Sequence, residues 1–404
     1  MKFLLLGKGE SIEAIKKYLK YQDVEYIQAV FDFEYSSKYL LIDDNLLHLD
    51  DIDYAIKSPG ISETNKMYLK LSKKFKFISE IDLLSIFREK VKTIVVTGSN
   101  GKTTFVSMLH YLFKQAKIKS IAAGNSFKPL TSYYKQFNKI DYLILEQSSF
   151  QLHDLRFYHP FISIILNLQD NHLDHSYSLR SYFENKKNIY RYQNKNDYFI
   201  YDLNNTNLKT VHSNANIIDL LSYPNIDKIK PSLQKYQMNF NYIYTIFKIL
   251  SIPIELIEKV NHFETLPYRE EMIQMKDVTF INDSKSTSVD ATLFALSHIE
   301  NLKKCILIIG GKDKHSSLER IKNIKVRYIL CYGEIVQKAT SQIPGIIPCK
   351  SLNEAFQIAC DILMDHKIVL FSPATSSHDQ YSSFIERGKH FNKLVKNYEK
   401  NRKD

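Results

Sequence analysis

The sequence predicts an α/β protein with mostly parallel sheets, divided into three units near residues 1–90, 91–262 and 263–404. Three observations predict it. Short apolar runs alternate with longer helical patterns from end to end, the signature of successive βα units. A chain of 404 residues exceeds what one ordinary core organises. The stretch VVTGSNGKTT (Val95–Thr104) reads as a strand end, a glycine turn and a helix start, the frame of a phosphate-binding loop.

The strand runs, rich in Ile, Leu, Val and Tyr, fall at 2–6, 93–97, 141–146, 161–168, 278–282, 304–309, 327–332 and 367–371. Helical spacing fills stretches between them, as in VDATLFALSHI (Val289–Ile299) and NEAFQIACDILM (Asn353–Met364). ISEIDLLSIFREKVK (Ile78–Lys92) predicts a helix that leads into the glycine turn and closes the first unit. NHFETLPYREE (Asn261–Glu271) is a polar, proline-containing connection, and a fresh strand follows at Val278. No repeat of fixed short period and no low-complexity linker interrupts the pattern.

Composition narrows the class. Hydrophobic residues make up 44% and charged residues 25%, as in a soluble globular protein. No run of 18 apolar residues exists, so no membrane insertion is expected. The opening MKFLLLGKGES is too short for a signal sequence and reads as a first strand, so the expected location is the cytoplasm. The net charge of +11 is spread over scattered lysines with no block of five or six. That suits a polyanionic small molecule, and no nucleic-acid partner is expected. The four cysteines, Cys305, Cys331, Cys349 and Cys360, form no C-x-x-C pair and read as buried thiols.

At the turn itself, a helix start offers free N–H donors and the positive end of the peptide dipoles to an anion. Gly98, Ser99, Asn100 and Gly101 form the bend. Lys102 would reach the β- and γ-phosphates, the Thr103 hydroxyl would ligate Mg²⁺, and Thr104 continues the helix. Val96 occupies the place of the first glycine of the strict P-loop pattern. DYLILEQSSFQL (Asp141–Leu152) brings a strand to its end at Glu146, where a Mg²⁺-binding carboxylate belongs. ISIILNLQDNHLDH (Ile162–His175) repeats the arrangement, with Asn167, Asp170, Asn171, His172 and Asp174 crowded after a buried strand. A second metal site and ordinary turn chemistry both fit that cluster. In the following helix Tyr182, Lys186, Ile189 and Tyr190 share a face, while Lys187 shares another with Phe183. Periodicity singles out neither lysine; a buried one would have a lowered pKa and react as a free amine.

Together these stretches resemble the Mur ligase family, the ATP-dependent amide-forming enzymes of peptidoglycan precursor synthesis, whose P-loop reads T-G-[ST]-N-G-K-[ST]-T. EQSSFQL, LNLQDNHLDH, LPYREE, INDSKSTSVDAT, GGKDKH and SPATSSHDQYSSFIERG narrow the likeness to members that add D-glutamate to UDP-N-acetylmuramoyl-L-alanine. GKGES and SPGIS correspond, more weakly, to the family's uridine-nucleotide loops. The resemblance implies a Rossmann-like UDP-binding domain, a central P-loop ATPase domain and a Rossmann-like C-terminal domain, working as a monomer. It implies ATP, two Mg²⁺ ions and an acyl-phosphate intermediate attacked by the amine of D-glutamate. Thr103 and Glu146 would hold one metal, and His172 with a carbamylated Lys186 the other. Asn241 and Arg269 would contact the nucleotide, Asp283 its ribose, and Lys285 and Thr287 the phosphate and substrate. Ser11 falls to the uridine diphosphate, and Asn125, Ser148 and Gln151 to the muramoyl substrate. For D-glutamate the likeness implies Lys314, Ser377, the backbone of His378, and Phe384; by itself Lys314 also reads as a solvated lysine after a glycine turn. The chain departs from the pattern at Phe127 (GNSF for G-N-I-G), at Gln237-Met238 (for His-Asn), and at His378 (for leucine). A Mur-type ligase for another amino acid and a folylpolyglutamate synthase are the nearby alternatives, and SSFQL and SPATSSHDQ argue against them.

Overall fold

The computed structural model describes residues 1–29, 49–168, 179–205, 208, 211–264, 266–275, 277–313, 317–363 and 367–401. They fall into two compact units, one ending at Phe263 and one beginning at Glu264.

The first unit contains two parallel sheets. In the smaller, β1 (Lys2–Leu6) lies between β2 (Glu25–Ala29) and β3 (Tyr54–Lys57). The larger holds β4 (Lys92–Thr97), β5 (Ser120–Gly124), β6 (Tyr142–Glu146), β7 (Ile162–Ile165), β8 (Tyr198–Tyr201) and β9 (Asn216–Asp219), in the order β5-β6-β4-β7-β8-β9. Its central strands are continuous apolar runs because helices cover both faces. The second unit adds a sheet ordered β10-β11-β15-β12-β13-β14. Its strands are β10 (Glu271–Met275), β11 (Val278–Asn282), β12 (Cys305–Gly310), β13 (Tyr328–Tyr332), β14 (Ile347–Pro348) and β15 (Ile368–Phe371). Only β10 runs antiparallel there, since the two residues before β11 are too few for a crossover.

The expected helix over Ile78–Lys92 is reduced to Asp82–Ile86. Asp82 is the cause. Its buried carboxylate accepts the backbone N–H groups of Ser79, Arg156, Phe157 and Tyr158, anchoring the turn across to the segment before β7. Arg88, in a left-handed conformation at φ 54°, then ends the helical path. The strand expected over 161–168 stops at Ile165, and the Tyr242 hydroxyl donates to the carbonyls of Ile165 and Leu166. Cys305, Cys331 and Cys349 are buried and Cys360 partly so; burial pushes the first three thiols up, to about 12, 12 and 11. Among the described residues no helix is long and apolar enough to cross a membrane.

Within the first unit one continuous core runs from the small sheet into the large one, through Phe3, Leu5, Tyr18, Leu83, Leu143 and Leu145. Polar ties follow the same seam. His153 lies between two carboxylates, with Nε2 3.0 Å from Glu63 and Nδ1 3.0 Å from Asp154, and the Tyr68 hydroxyl donates to Asp154 at 2.7 Å. Burial opposes a charge on this imidazole, but the hydrogen bonds to Asp154 and Glu63 outweigh it and push its pKa up to about 9. A pKa raised in the folded state adds stability that is fully present below the unfolded value of 6.5 and is lost as pH rises through about 9. Thermal melts between about pH 7 and 10 are expected to show this loss in the wild type, and His153→Gln to lack that component of the decline.

Candidate active site

The C-terminal ends of β4, β6 and β7 meet at one edge, because Val96 pairs with Glu146 and Thr97 with Ile165. At that edge β4 passes into the glycine loop. A Cβ on Gly98 would sit 3.1 Å from the Leu166 side chain and 3.3 Å from the Asn167 nitrogen, so the loop lies against the chain leaving β7. Asn167 clamps it there. Its carbonyl accepts from Ser99 N–H at 3.0 Å, its Oδ1 from Asn100 N–H at 2.9 Å, and its Nδ2 donates to the Asn100 carbonyl at 3.1 Å. Gly101, at φ 81°, makes the left-handed step that starts the helix Lys102–Gln115. The Lys102 amine reaches back to the carbonyls of Gly98 (2.7 Å) and Ser99 (3.0 Å).

Beside the loop stands a chain of oxygen atoms. The Thr103 hydroxyl lies 3.1 Å from Ser126 Oγ, which donates to Glu146 Oε1 at 3.0 Å, and Asn125 Nδ2 donates to the same oxygen at 2.9 Å. Glu146 Oε2 is buried with no hydrogen-bond partner. A buried carboxylate oxygen left without a donor beside two hydroxyls is a hard, oxygen-only set, and it fits a magnesium ion. Gly124 makes the arrangement possible: at φ 99°, a Cβ there would come within 2.2 Å of the Glu146 carbonyl oxygen. Asn125, expected at the muramoyl substrate, is thus hydrogen-bonded to the Glu146 carboxylate. Ser126 escaped the sequence reading, although a hydroxyl directly after that asparagine was the available signal.

Packing separates the two lysines that periodicity left equal. Lys187 is partly exposed and pairs with Glu184 at 3.0 Å. Lys186 is 1% exposed, with its amine 2.9 Å from the Gly98 carbonyl, 3.3 Å from Thr97 Oγ1 and 4.5 Å from the centre of the Tyr182 ring. Gly98 therefore receives both the Lys102 and the Lys186 amines. Burial, with the Lys102 charge beside it, holds the Lys186 amine well below the usual lysine range, against the pull of Glu146. Among the described residues no group of three or more His, Cys, Asp or Glu side chains gathers that could hold a metal. His172 lies outside the described residues.

The other expected residues have mixed positions. Ser148 and Gln151 form a reciprocal capping box on the short helix Ser149–Leu152. Gln151 also lines a cavity with Ser11, Lys57, Ser79 and Asp154. Asn241 is buried and accepts from Tyr223 N–H at 3.0 Å. Two residues earlier, Asn239 carries a buried Nδ2 without a partner, and its Oδ1 lies 3.9 Å from where a Gly101 Cβ would be. That makes Asn239 the amide nearer the glycine loop, and nothing in its spacing announced it.

In the second unit Asp283 follows β11. Its carboxylate accepts from the Ser372 hydroxyl at 2.8 Å, and burial followed by the Glu270 charge pushes its pKa up to about 7. The Lys285 amine sits 4.3 Å above the Phe384 ring. Ser377 is buried, and its carbonyl accepts from Tyr381 N–H at 2.9 Å, while His378 is exposed. Arg269 and Thr287 lie in the loops flanking β10 and β11. Lys314 is outside the described residues. The fully buried Arg387, which the sequence did not single out, ties these loops together by donating to the carbonyls of Ser284, Gly310 and Thr375.

A sequence profile of the Mur ligase middle domain matches residues 96–262. A relative from Francisella tularensis subsp. novicida (strain U112), named UDP-N-acetylmuramoylalanine--D-glutamate ligase, is 31% identical over 413 aligned positions that cover 98% of this chain and 95% of its own. The chain belongs to the Mur ligase family. A protein of the same name from Francisella philomiragia is also 31% identical, over 98% of this chain and 96% of its own. In fold, this Mur ligase is similar to the crystal structure of MurF ligase from Thermotoga maritima in complex with ADP. The TM-score is 0.59 at 16% identity, over 91% of this chain and 94% of that one.

Because the Lys186 amine is buried against uncharged partners, its removal is expected to leave folding intact. Lys186→Met keeps the buried volume and removes an amine whose charge is already suppressed, so it should melt within about 5 °C of the wild type by calorimetry.

Proposed function

We propose that this chain joins the amine of D-glutamate to the carboxylate of UDP-N-acetylmuramoyl-L-alanine at the expense of ATP, a step in peptidoglycan precursor synthesis. The observation that carries the reading is the Lys186 amine buried against the glycine loop. A protein that only binds nucleotide has no use for a desolvated lysine there, whereas an acyl-transferring ligase needs its groups inside a water-free site. The relatives' names support the choice of substrates.

In this reading the domains are 1–90 for the uridine nucleotide, 91–262 for ATP and 263–404 for D-glutamate and part of the nucleotide, in a cytoplasmic monomer. The backbone donors of Gly98–Thr104 and the Lys102 amine take the phosphates of ATP and orient the γ-phosphoryl group toward the muramoyl carboxylate. A carboxylate is a poor acyl donor because its leaving group is an oxide, and phosphorylation supplies a better one. Thr103, Ser126 and Glu146 would hold one Mg²⁺, and His172 with a carbamylated Lys186 a second. Bound there, the ions neutralise charge on the transferring group. A neutral Lys186 amine is the form that adds CO₂: a nitrogen–carbon bond forms as a C=O π pair moves onto oxygen, a proton leaves the nitrogen, and the neutral amine becomes an anionic carbamate that offers oxygen ligands. Asn241, Arg269, Asp283, Lys285 and Thr287 serve the nucleotide and phosphate. Ser11, Asn125, Ser148 and Gln151 serve the muramoyl nucleotide. Lys314, Ser377, the His378 backbone and Phe384 hold the D-glutamate carboxylates and exclude water.

Phosphate release from ATP, with UDP-N-acetylmuramoyl-L-alanine present and each amino acid added in turn, tests the whole. D-Glutamate alone is expected to support turnover; equal release with another amino acid, or release without the muramoyl nucleotide, overturns the reading. Lys186→Ala is expected to lower kcat by at least about a hundredfold. Lys314→Ala should raise KM for D-glutamate at least about tenfold and leave KM for ATP within about twofold, measured in the same assay.

A further inference from the structure

The helix Leu179–Arg191, which carries Lys186, is held from two sides. One side faces the glycine loop, through Lys186 on Gly98 and through the Tyr182 hydroxyl, 3.4 Å from Ser99 Oγ. On the neighbouring side Ser181 and Asn185, four residues apart and so on one face, both donate to a single carboxylate, that of Glu63. Ser181 Oγ reaches Glu63 Oε1 at 3.1 Å, and Asn185 Nδ2 reaches Oε2 at 2.9 Å. Glu63 belongs to neither the helix nor the large sheet. It follows the SPGIS turn after β3, in the small sheet's own connection.

Behind Glu63 the contacts continue without a gap. Its Oε2 lies 3.0 Å from His153 Nε2, and His153 Nδ1 lies 3.0 Å from Asp154, which stands 3.8 Å from the Lys57 amine. Lys57 donates to the Ile61 carbonyl at 3.0 Å, closing the loop that carries Glu63. Lys57 and Asp154 also line the cavity shared with Ser11 and Gln151. The chain of contacts thus begins at a cavity wall and ends one residue from Lys186. Every member is at least half-buried, where charged hydrogen bonds are strong and hold one geometry.

We propose that Glu63 is a positioning residue for the ligase reaction: by gripping Ser181 and Asn185 it fixes the helix that aims Lys186 at the glycine loop, and it transmits occupancy of the Ser11–Lys57 cavity to that helix. The ligand class is the nucleotide-linked sugar substrate, and that part rests on the function proposed above. A displacement of about 1 Å at a reacting group reduces turnover by about a hundredfold, so loss of this grip is read in kcat.

Two measurements on the full chain test it. Hydrogen exchange in Glu63→Ala is expected to quicken at least tenfold over 179–191 and to stay unchanged over Lys102–Gln115. UDP-N-acetylmuramoyl-L-alanine is expected to slow exchange over 179–191 in the wild type and not in the variant. In the coupled assay Glu63→Ala is expected to lose at least tenfold in kcat with KM for ATP within twofold, and Glu63→Gln, which keeps an acceptor oxygen, to recover part of it. Unchanged exchange over 179–191 overturns the proposal, and so does faster exchange with unchanged kcat, which would make Glu63 a structural tie only. If Glu63→Ala does not fold, Glu63→Met, which keeps the buried volume but removes both acceptor oxygens, decides by the same criteria. Exchange does not depend on turnover, so a wild type inactive with these substrates counts against the proposed function alone.

Discussion

The contact on which the described site depends joins the Lys186 amine to the carbonyl of Gly98, 2.9 Å apart. A lysine this deep loses its hydration, a penalty of several kcal/mol for the charged form, and neutral partners repay only part of it. The Gly98 carbonyl, the Thr97 hydroxyl and the face of Tyr182 are those partners. For them to converge, Gly98 must lie close against Leu166 and Asn167, where a Cβ would be a tight fit. The helix behind must also be seated by Ile189 and Tyr190, both in the core. The loop sequence, the helix spacing and the strand register are therefore conditions on one hydrogen bond.

Parallel sheets supply the register. In the order β5-β6-β4-β7-β8-β9 the chain leaves β4 to one side and returns to its other side at β7. The crevice of such a sheet opens where the direction reverses, at the carboxyl ends of the strands. Gly98, Glu146 and Asn167 all stand just there, each at or just beyond the end of its strand. The second unit uses the same principle with a different fastener. Arg387 donates to the last carbonyl of β12 and to carbonyls in the loops after β11 and β15, and so gathers the segments that carry Asp283 and Ser377.

Sequence reading succeeded where burial on both faces forces a continuous apolar run, as in β4, β6 and β12, and where a loop needs its own residues, as in TGSNGKTT. It failed where long-range partners decide. β5, with the sequence SIAAG, is too small-sided to look like a strand, yet its small residues are what let Gly124 approach Glu146. β9 is an exposed edge with little apolar pattern. The helix expected over 78–92 has good local spacing, but Asp82 binds backbone far away in sequence. Lys186 and Lys187 could not be separated by period because each shares a face with aromatic residues; the difference is which face meets the loop. Ser126 and Arg387 stand inside quoted stretches, GNSF and SPATSSHDQYSSFIERG, and Asn239 outside any, but the roles of all three arise from groups that other segments bring to them.

The two amines on Gly98 set the electrostatics of the loop. A carbonyl oxygen has two lone pairs and accepts both Lys102 and Lys186, so the geometry is satisfied. Two full positive charges so close in a poorly hydrated site repel strongly, and Lys186 is the more deeply buried of the two. The charge at Lys186 is the one suppressed. In the function proposed above, this neutral amine is the nucleophile that would add CO₂, and the carbamate anion so formed would be attracted to the Lys102 ammonium. The same change would set that anion against Glu146, whose second carboxylate oxygen already lacks a donor. In that proposed function, one cation held by Thr103, Ser126 and Glu146 and a second held by His172 with the carbamate would offset that repulsion.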